Sequence, residues 1–379
     1  MSPRSALLVL IVLALSAAAQ ARTRLGATLE LGPELDSNAT RVETESGSSA
    51  RVMSALTRFV ASGRLQLRAW DRHAFALSYG GAGKLFHDGD AREADELLHH
   101  ADLSWAWASP VGVLTLAGSY YEAFQRQSLW DFRAGQGVAR LVTQLGSHLR
   151  PWVELGYRGL AWKPIEDYRF DGFVGGLGLR ALLSSGAGPD AVEWELTLAY
   201  QAALRHFALE AAGVPVRTCG SDECLDGKGI DRQDLNHLLR LEVVYLGHAE
   251  ARFWYSAELN QSNSYGETYA RHVVGLKYTT PLVWSLFMTI KAVLQVNQLS
   301  DPFVKSAVAN QNPQSTDDEN RSRLELQLAR DVTAWLSIYV RYGLYVSESI
   351  SFEDLPQEQA LPGFQRHTLF GGVRINVGS

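Results

Sequence analysis

Apolar and polar residues alternate with a period of two over long stretches of this chain. From 192 to 201, Val192, Trp194, Leu196, Leu198 and Tyr200 share one face while Glu193, Glu195, Thr197 and Gln201 share the other. From 234 to 245, Leu235, Leu239, Leu241, Val243 and Tyr245 oppose Asp234, Asn236, Arg240 and Glu242, with His237 interrupting the apolar side. From 251 to 260, Ala251, Phe253, Tyr255, Ala257 and Leu259 oppose Arg252, Trp254, Ser256, Glu258 and Asn260. A helix, with its period of 3.6, would mix these faces, so each segment is a strand with one greasy and one wet side.

The same reading predicts strands near 24–37, 50–70, 73–86, 94–108, 111–125, 130–146, 150–163, 168–183, 190–206, 232–246, 249–261, 267–280, 283–298, 319–330, 333–347 and 365–378. Most are longer than the strands of a globular sheet, and a tilted crossing of a bilayer needs about 9–11 residues. Connections alternate in length. Short links at 71–72, 109–110, 147–149, 184–189, 247–248, 281–282 and 331–332 are interleaved with longer ones, the longest at 207–231, 299–318 and 348–364. That is the rhythm of an outer-membrane barrel, with short periplasmic turns and long outside loops. The fold expected is therefore all-β: a transmembrane up-and-down antiparallel β-barrel of about 16 strands. Trp70, Trp107, Trp130, Trp162, Tyr278 and Trp335 fall near strand ends, where interfacial girdles place aromatic rings. A soluble two-sheet sandwich is the competing fold.

The first residues have a different pattern. Arg4, the apolar run Leu7 to Leu15 and the small-x-small site Ala19-Gln20-Ala21 form a secretory signal, so residues 1–21 are expected to be a cleaved signal peptide and 22–379 the barrel. The apolar run is too short for a retained anchor. After it, no stretch of 18 or more apolar residues occurs although 46% of residues are hydrophobic. This excludes a helical membrane protein but not a barrel, whose signal is spread over alternating positions. The formal charge of -6 offers no basic footprint for nucleic acid.

Candidate chemistry follows from the wet faces. The inward positions carry acids (Glu154, Glu193, Glu195, Asp234, Glu242, Glu258, Glu325) and bases (Arg158, Arg240, Arg252, Arg271, Lys277, Lys291, Arg323, Arg341, Arg374), together with the aromatics Trp254, Trp335 and Tyr339. Neither sign dominates this set, which suits a neutral or zwitterionic solute or a wall closed by salt bridges. Cys219 and Cys224 sit in the longest loop and, in an oxidising compartment, are expected to form a disulfide. No serine lies in a nucleophile-elbow pattern, and His99, His237 and His272 fall on the apolar, outward phase, so neither an enzyme nor a cofactor is expected.

The opening strand, Gly26-Ala27-Thr28-Leu29-Glu30-Leu31-Gly32-Pro33-Glu34-Leu35-Asp36-Ser37-Asn38, looks like the first strand of many outer-membrane barrels. With the segments that follow, it resembles the barrel part of polysaccharide-export porins, the family of the poly-N-acetylglucosamine exporter. The resemblance implies an outer-membrane channel in a Gram-negative bacterium that exports a carbohydrate polymer. Two features depart from that family. No helical-repeat region precedes the barrel, so a separate periplasmic protein would have to deliver the polymer. The residues Phe370 to Ser379 also lack a terminal aromatic. A passive porin for small solutes, and a non-conducting barrel that anchors a motility or adhesion complex, are the alternatives.

Overall fold

The computed structural model describes residues 22–39, 52–69, 71–126, 131–162, 169–185, 192–213, 217–219, 222–224, 227–265, 267–299, 322–347 and 364–378. The expected signal peptide, most of the 299–318 and 348–364 loops, and Trp70 and Trp130 lie outside them. The strands are β1 Arg22–Asp36, β2 Ser54–Ala69, β3 His73–Phe86, β4 Glu96–Ser109, β5 Gly112–Gln125, β6 Phe132–Val142, β7 Leu149–Trp162, β8 Arg169–Ser185 and β9 Val192–Ala212. They continue with β10 Arg217–Cys219, β11 Asp222–Cys224, β12 Gly227–Leu246, β13 Glu250–Ser262, β14 Tyr269–Pro281, β15 Leu286–Leu299, β16 Ser322–Asp331, β17 Leu336–Ser347 and β18 Phe364–Gly378.

All but β10 and β11 form one closed antiparallel barrel of 16 strands among the described residues, in which each strand pairs with its chain neighbours and β18 returns to β1. Closure is what the alternation requires, because an open edge would leave N–H and C=O groups unpaired in hydrocarbon at several kcal/mol each. At the closing seam the β1–β18 ladder skips Gly32 and Pro33, resuming at Glu34↔Phe370. Pro33 has no N–H to donate. The chains approach so closely there that a Cβ on Gly32 would lie 2.1 Å from the Gly371 carbonyl oxygen. Following the register once round the barrel returns to β1 displaced by about 20 residues, so the strands tilt strongly, as closure of this many strands demands.

One boundary differs from the sequence reading. The segment 207–231, read as a loop, is largely strand: β9 runs to Ala212 and β12 starts at Gly227, with register shifts between Gly227 and Gln233. Its polar residues extend the hairpin beyond the apolar band, where alternation no longer reports a lipid-facing side. Between β9 and β12 in the chain, β10 and β11 pair as a small separate hairpin.

The outer surface is apolar. Leu177, Leu196, Leu198, Leu239, Leu276, Leu328 and Val340 are among many large side chains with more than a third of their surface exposed. Two aromatic bands bound this surface. On the short-turn side lie Trp107, Tyr278, Trp284 and the Trp194–Tyr245 pair, whose ring centroids are 4.9 Å apart. Trp284 and Ser285 adopt positive φ of 60° and 58°. That strained turn presents the Trp284 indole at 78% exposure.

On the long-loop side, Tyr–His pairs recur: Tyr200–His237 at 2.7 Å, Tyr255–His272 at 2.8 Å and Tyr342–His367 at 2.7 Å between the hydroxyl and Nδ1. In each pair the histidine lies two residues beyond the partner directly opposite the tyrosine, and the strand register brings these histidines and His99 to nearly one height. The outward phase predicted for His99, His237 and His272 is thus explained by a ring of hydrogen-bonded aromatics.

Candidate functional site: the barrel interior

Side chains that alternate with the apolar outer set point into the barrel. On β12 to β18 they line a cavity of about 910 Å³ bordered by eight bases (Arg240, Arg252, Arg271, Lys277, Lys291, Arg323, Arg341, Arg374) and five acids (Glu242, Glu250, Glu258, Glu325, Asp331). A second cavity of about 410 Å³ lies against β6 to β9, beside Arg140, Arg150, Glu154, Arg180 and Glu195, and shares Leu238, Arg240 and Glu242 with the first. A third, of about 750 Å³, is lined by Thr28, Ser62, Arg64, Ser78, His100, Asp102 and Asn376 from the opposite wall. All three reach residues beside the short turns, among them Glu250 and Asp331, Arg150, and Asn376.

Most acids of this wall are tied to neighbouring bases, while Asp331 accepts from the Ser337 hydroxyl at 2.6 Å. Arg140 Nε donates to Glu154 at 2.9 Å, and Arg180 donates to Glu195. Arg252 pairs with Glu242 at 2.9 Å and Lys277 with Glu250 at 3.3 Å. Arg374 and Arg341 flank Glu30 at 3.1 and 3.9 Å. Glu258 is the most heavily used acid. It accepts from Asn236 at 2.7 Å, Tyr269 at 2.9 Å and Arg271 at 3.2 Å, and Arg205 approaches to 3.8 Å from two strands away. Bases remain in surplus. Among the described residues, buried nitrogens on Arg158, Arg205 and Arg341 have no hydrogen-bond partner and Arg240 makes no ion pair.

Two tryptophans cover glycines on this inner wall. A Cβ on Gly275 would lie 2.0 Å from the Trp254 ring, and one on Gly178 would lie 2.5 Å from the Trp152 ring. Each indole therefore fills the space a side chain would occupy, lies along the wall and turns its other face to the cavity. Arg140 is stacked over Trp152 at 4.7 Å.

Toward the long-loop end the interior is packed. Leu98, Ala123, Phe132, Trp162 and Phe207 form a buried apolar cluster, and Leu56, Phe86, Ala39 and Ala91 form another beneath the short helical turn at Gly89–Ala94. Buried ion pairs lie at the same end: Arg58–Glu34 at 3.4 Å, Arg366–Asp36 at 2.5 Å, and Arg232 with Asp234 at 2.6 Å and Glu267 at 2.8 Å.

Most predicted inward residues stand where the alternation put them. Glu154, Glu195, Arg240, Glu242, Arg252, Trp254, Glu258, Arg271, Lys277, Lys291, Arg323, Glu325, Tyr339, Arg341 and Arg374 border the cavities. Arg158 and Asp234 point inward but are packed in the outer half, and Glu193 sits at the short-turn rim. Trp335 is a correction. It lies in the 332–335 turn at 52% exposure, because β17 begins only at Leu336 and the inward phase of the strand no longer applies to it. Trp162, read as an interfacial ring, is also corrected. It is 4% exposed and stacked on Phe132 inside the barrel, since it shares the even, inward phase of Glu154 and Arg158. The sequence reading missed Arg140, Arg150, Arg180 and Arg205, which the same parity would have found.

A closed barrel, greasy outside, wet inside, ringed by aromatics and joined by short turns at one end, is a membrane-spanning β-barrel of the outer-membrane class. No protein-family model and no curated protein matches the sequence. Solved structures similar to it include an anion-selective porin from Comamonas acidovorans (11% identity, 94% of this chain and 100% of that one, TM-score 0.44). They also include OmpF of Salmonella typhi in complex with daunomycin (9%, 94% and 97%, TM-score 0.44) and a bacterial polysaccharide outer membrane secretin (8%, 93% and 98%, TM-score 0.40).

Proposed function

We propose that the barrel is an outer-membrane channel for hydrophilic solutes with a preference for anions. The observation that carries this reading is the surplus of bases on the cavity walls once the acids are paired: Arg240 makes no ion pair among the described residues, and Nη2 of Arg341 lacks a hydrogen-bond acceptor there. A buried N–H without a partner costs about 1–3 kcal/mol, and a passing anion relieves that cost where a cation cannot. The packed outer end makes the wide vestibule the short-turn, periplasmic side and the narrow part the outside mouth.

The test is the reversal potential of the purified chain in a planar bilayer under a salt gradient. Chloride is expected to be favoured over potassium, and Arg240→Glu, which reverses a charge shared by two cavities, is expected to cut the ratio about threefold. A cation-favouring wild type rejects the reading. A chain that is silent while fully folded moves the anchoring role to the front.

Carbohydrate passage is the second reading, favoured by the Trp254 and Trp152 faces on the wall. It extends to polymer export if a periplasmic protein supplies the chain. Oligosaccharides of increasing size should block the current, and Trp254→Ala should weaken the block; a current indifferent to sugars rejects it.

We also propose that Cys219 and Cys224 are joined. The β10–β11 register sets Cys219 opposite Asp222 and Cys224 opposite Arg217, so the two cysteines stand on the paired strands of one short hairpin. Alkylation of the unfolded chain should modify neither cysteine before reduction and both after it.

A further inference from the structure

The outward face just beyond the Tyr–His ring carries charged residues in the sector from β5 to β9. There a groove of about 550 Å³ runs over Gly135, Gly159 and Ala161 and is rimmed by Arg133, Arg169 and His206. These residues alternate with the inward Phe132, Leu160, Phe170 and Phe207, so they face the membrane and not the cavity. Register aligns Arg133 with Ala161 and Ala161 with Arg169, which sets the two guanidinium groups on either side of a small residue.

The acids of this sector are already engaged. Glu122 accepts from Tyr120 at 2.9 Å and lies 3.6 Å from His99, and Asp171 is hydrogen-bonded by Tyr157. Arg133 and Arg169 are exposed and make no ion pair among the described residues. Glu122 stands directly opposite Arg133, and Asp171 lines the groove two residues from Arg169, but neither closes an ion pair with these arginines among the described residues, so at the edge of the hydrocarbon layer the two guanidinium groups are left to reach headgroup phosphate or water. Gly135, Gly159 and Ala161 leave the floor of the groove shallow, and the Tyr157–Phe173 pair at 5.1 Å lies on the same outward face.

We propose that this groove binds the phosphate-bearing headgroup of an outer-leaflet glycolipid, with Arg133 and Arg169 clamping the phosphate, His206 at the rim and an acyl chain along the groove floor. The assignment rests on the membrane-spanning orientation and is independent of what the lumen carries.

The test is native mass spectrometry of the full chain folded in detergent, with a bis-phosphorylated, acylated glucosamine disaccharide as probe and its dephosphorylated form as control. The wild type is expected to retain the phosphorylated lipid and the Arg133→Gln/Arg169→Gln variant to bind it at least about tenfold more weakly, while Arg133→Lys/Arg169→Lys keeps most of the binding. Heat-modifiable gel mobility, expected to be unchanged, shows that each variant is folded. Equal retention by the glutamine variant overturns the proposal. So does equal binding of the dephosphorylated lipid, or full displacement by inorganic phosphate, which would mark a free-ion site.

Discussion

Leu198→Arg is expected to destabilise the folded barrel by about 2–4 kcal/mol, whereas Thr197→Arg, one residue away, should change stability by less than about 1 kcal/mol. Leu198 is 48% exposed on the outer face, flanked in register by Leu179 and Leu241, and lies between the two aromatic bands, four residues from Trp194 and two from Tyr200. An arginine there has neither water nor a phosphate within easy reach and must snorkel past several apolar rows. Thr197 points the other way, into the second cavity, where added charge meets water and the neighbouring Glu195. Urea titration of the refolded chain in lipid vesicles, read by heat-modifiable mobility, gives both values. Equal costs at the two positions would mean that the two faces do not see different solvents, and would reject the membrane assignment itself.

That contrast is also why so much of the fold could be read from the chain. A membrane barrel has two solvents, one on each side of a single sheet, so every strand residue reports its side by parity alone. Apart from β9 and β12, which run five or six residues into the predicted 207–231 loop, the strands that close the barrel lie within a few residues of their predicted bounds, and β3 coincides with 73–86. For the predicted aromatics, parity failed only where it was not applied or does not hold. Trp162 was assigned by its nearness to a strand end, although its phase matched Glu154. Trp335 was assigned by phase, although the strand had not yet begun.

The ion-pair closure of the wall could not be read in the same way. Which base meets which acid depends on register and shear, and the surplus of bases appears only when Arg140, Arg150 and Arg180 are counted beside the predicted set. Nor does alternation report the packed outer end. Leu98, Phe132 and Phe207 are apolar residues on the wet phase, a violation that makes sense only once the barrel brings them together across β4 to β9.

The outer mouth should depend on its buried charges as strongly as the membrane band depends on its leucines. Arg232, 2% exposed, donates from Nε to Asp234 Oδ1 at 3.0 Å and from Nη2 to Oδ2 at 2.6 Å, and its third nitrogen meets Glu267 at 2.8 Å. Asn260 joins the group by donating to Asp234 at 3.1 Å and to the Glu267 carbonyl oxygen at 2.8 Å, and the guanidinium covers Phe207 at 4.1 Å. The cluster thus ties the shifted start of β12 to the loop between β13 and β14 and to the apolar packing of β9. Arg232→Ala would leave two carboxylates facing each other in a site with almost no water, a change that costs about 3–5 kcal/mol when a buried pair loses one partner. Arg232→Met combined with Asp234→Asn and Glu267→Gln removes the charge imbalance and is expected to recover more than half of that loss, because neutral groups of similar shape remain. In a bilayer the single Arg232→Ala variant should show a larger or noisier conductance than the wild type, since loss of the tie frees side chains that narrow the mouth. A variant as stable as the wild type, with unaltered current, would show that the mouth is held by its apolar cluster alone.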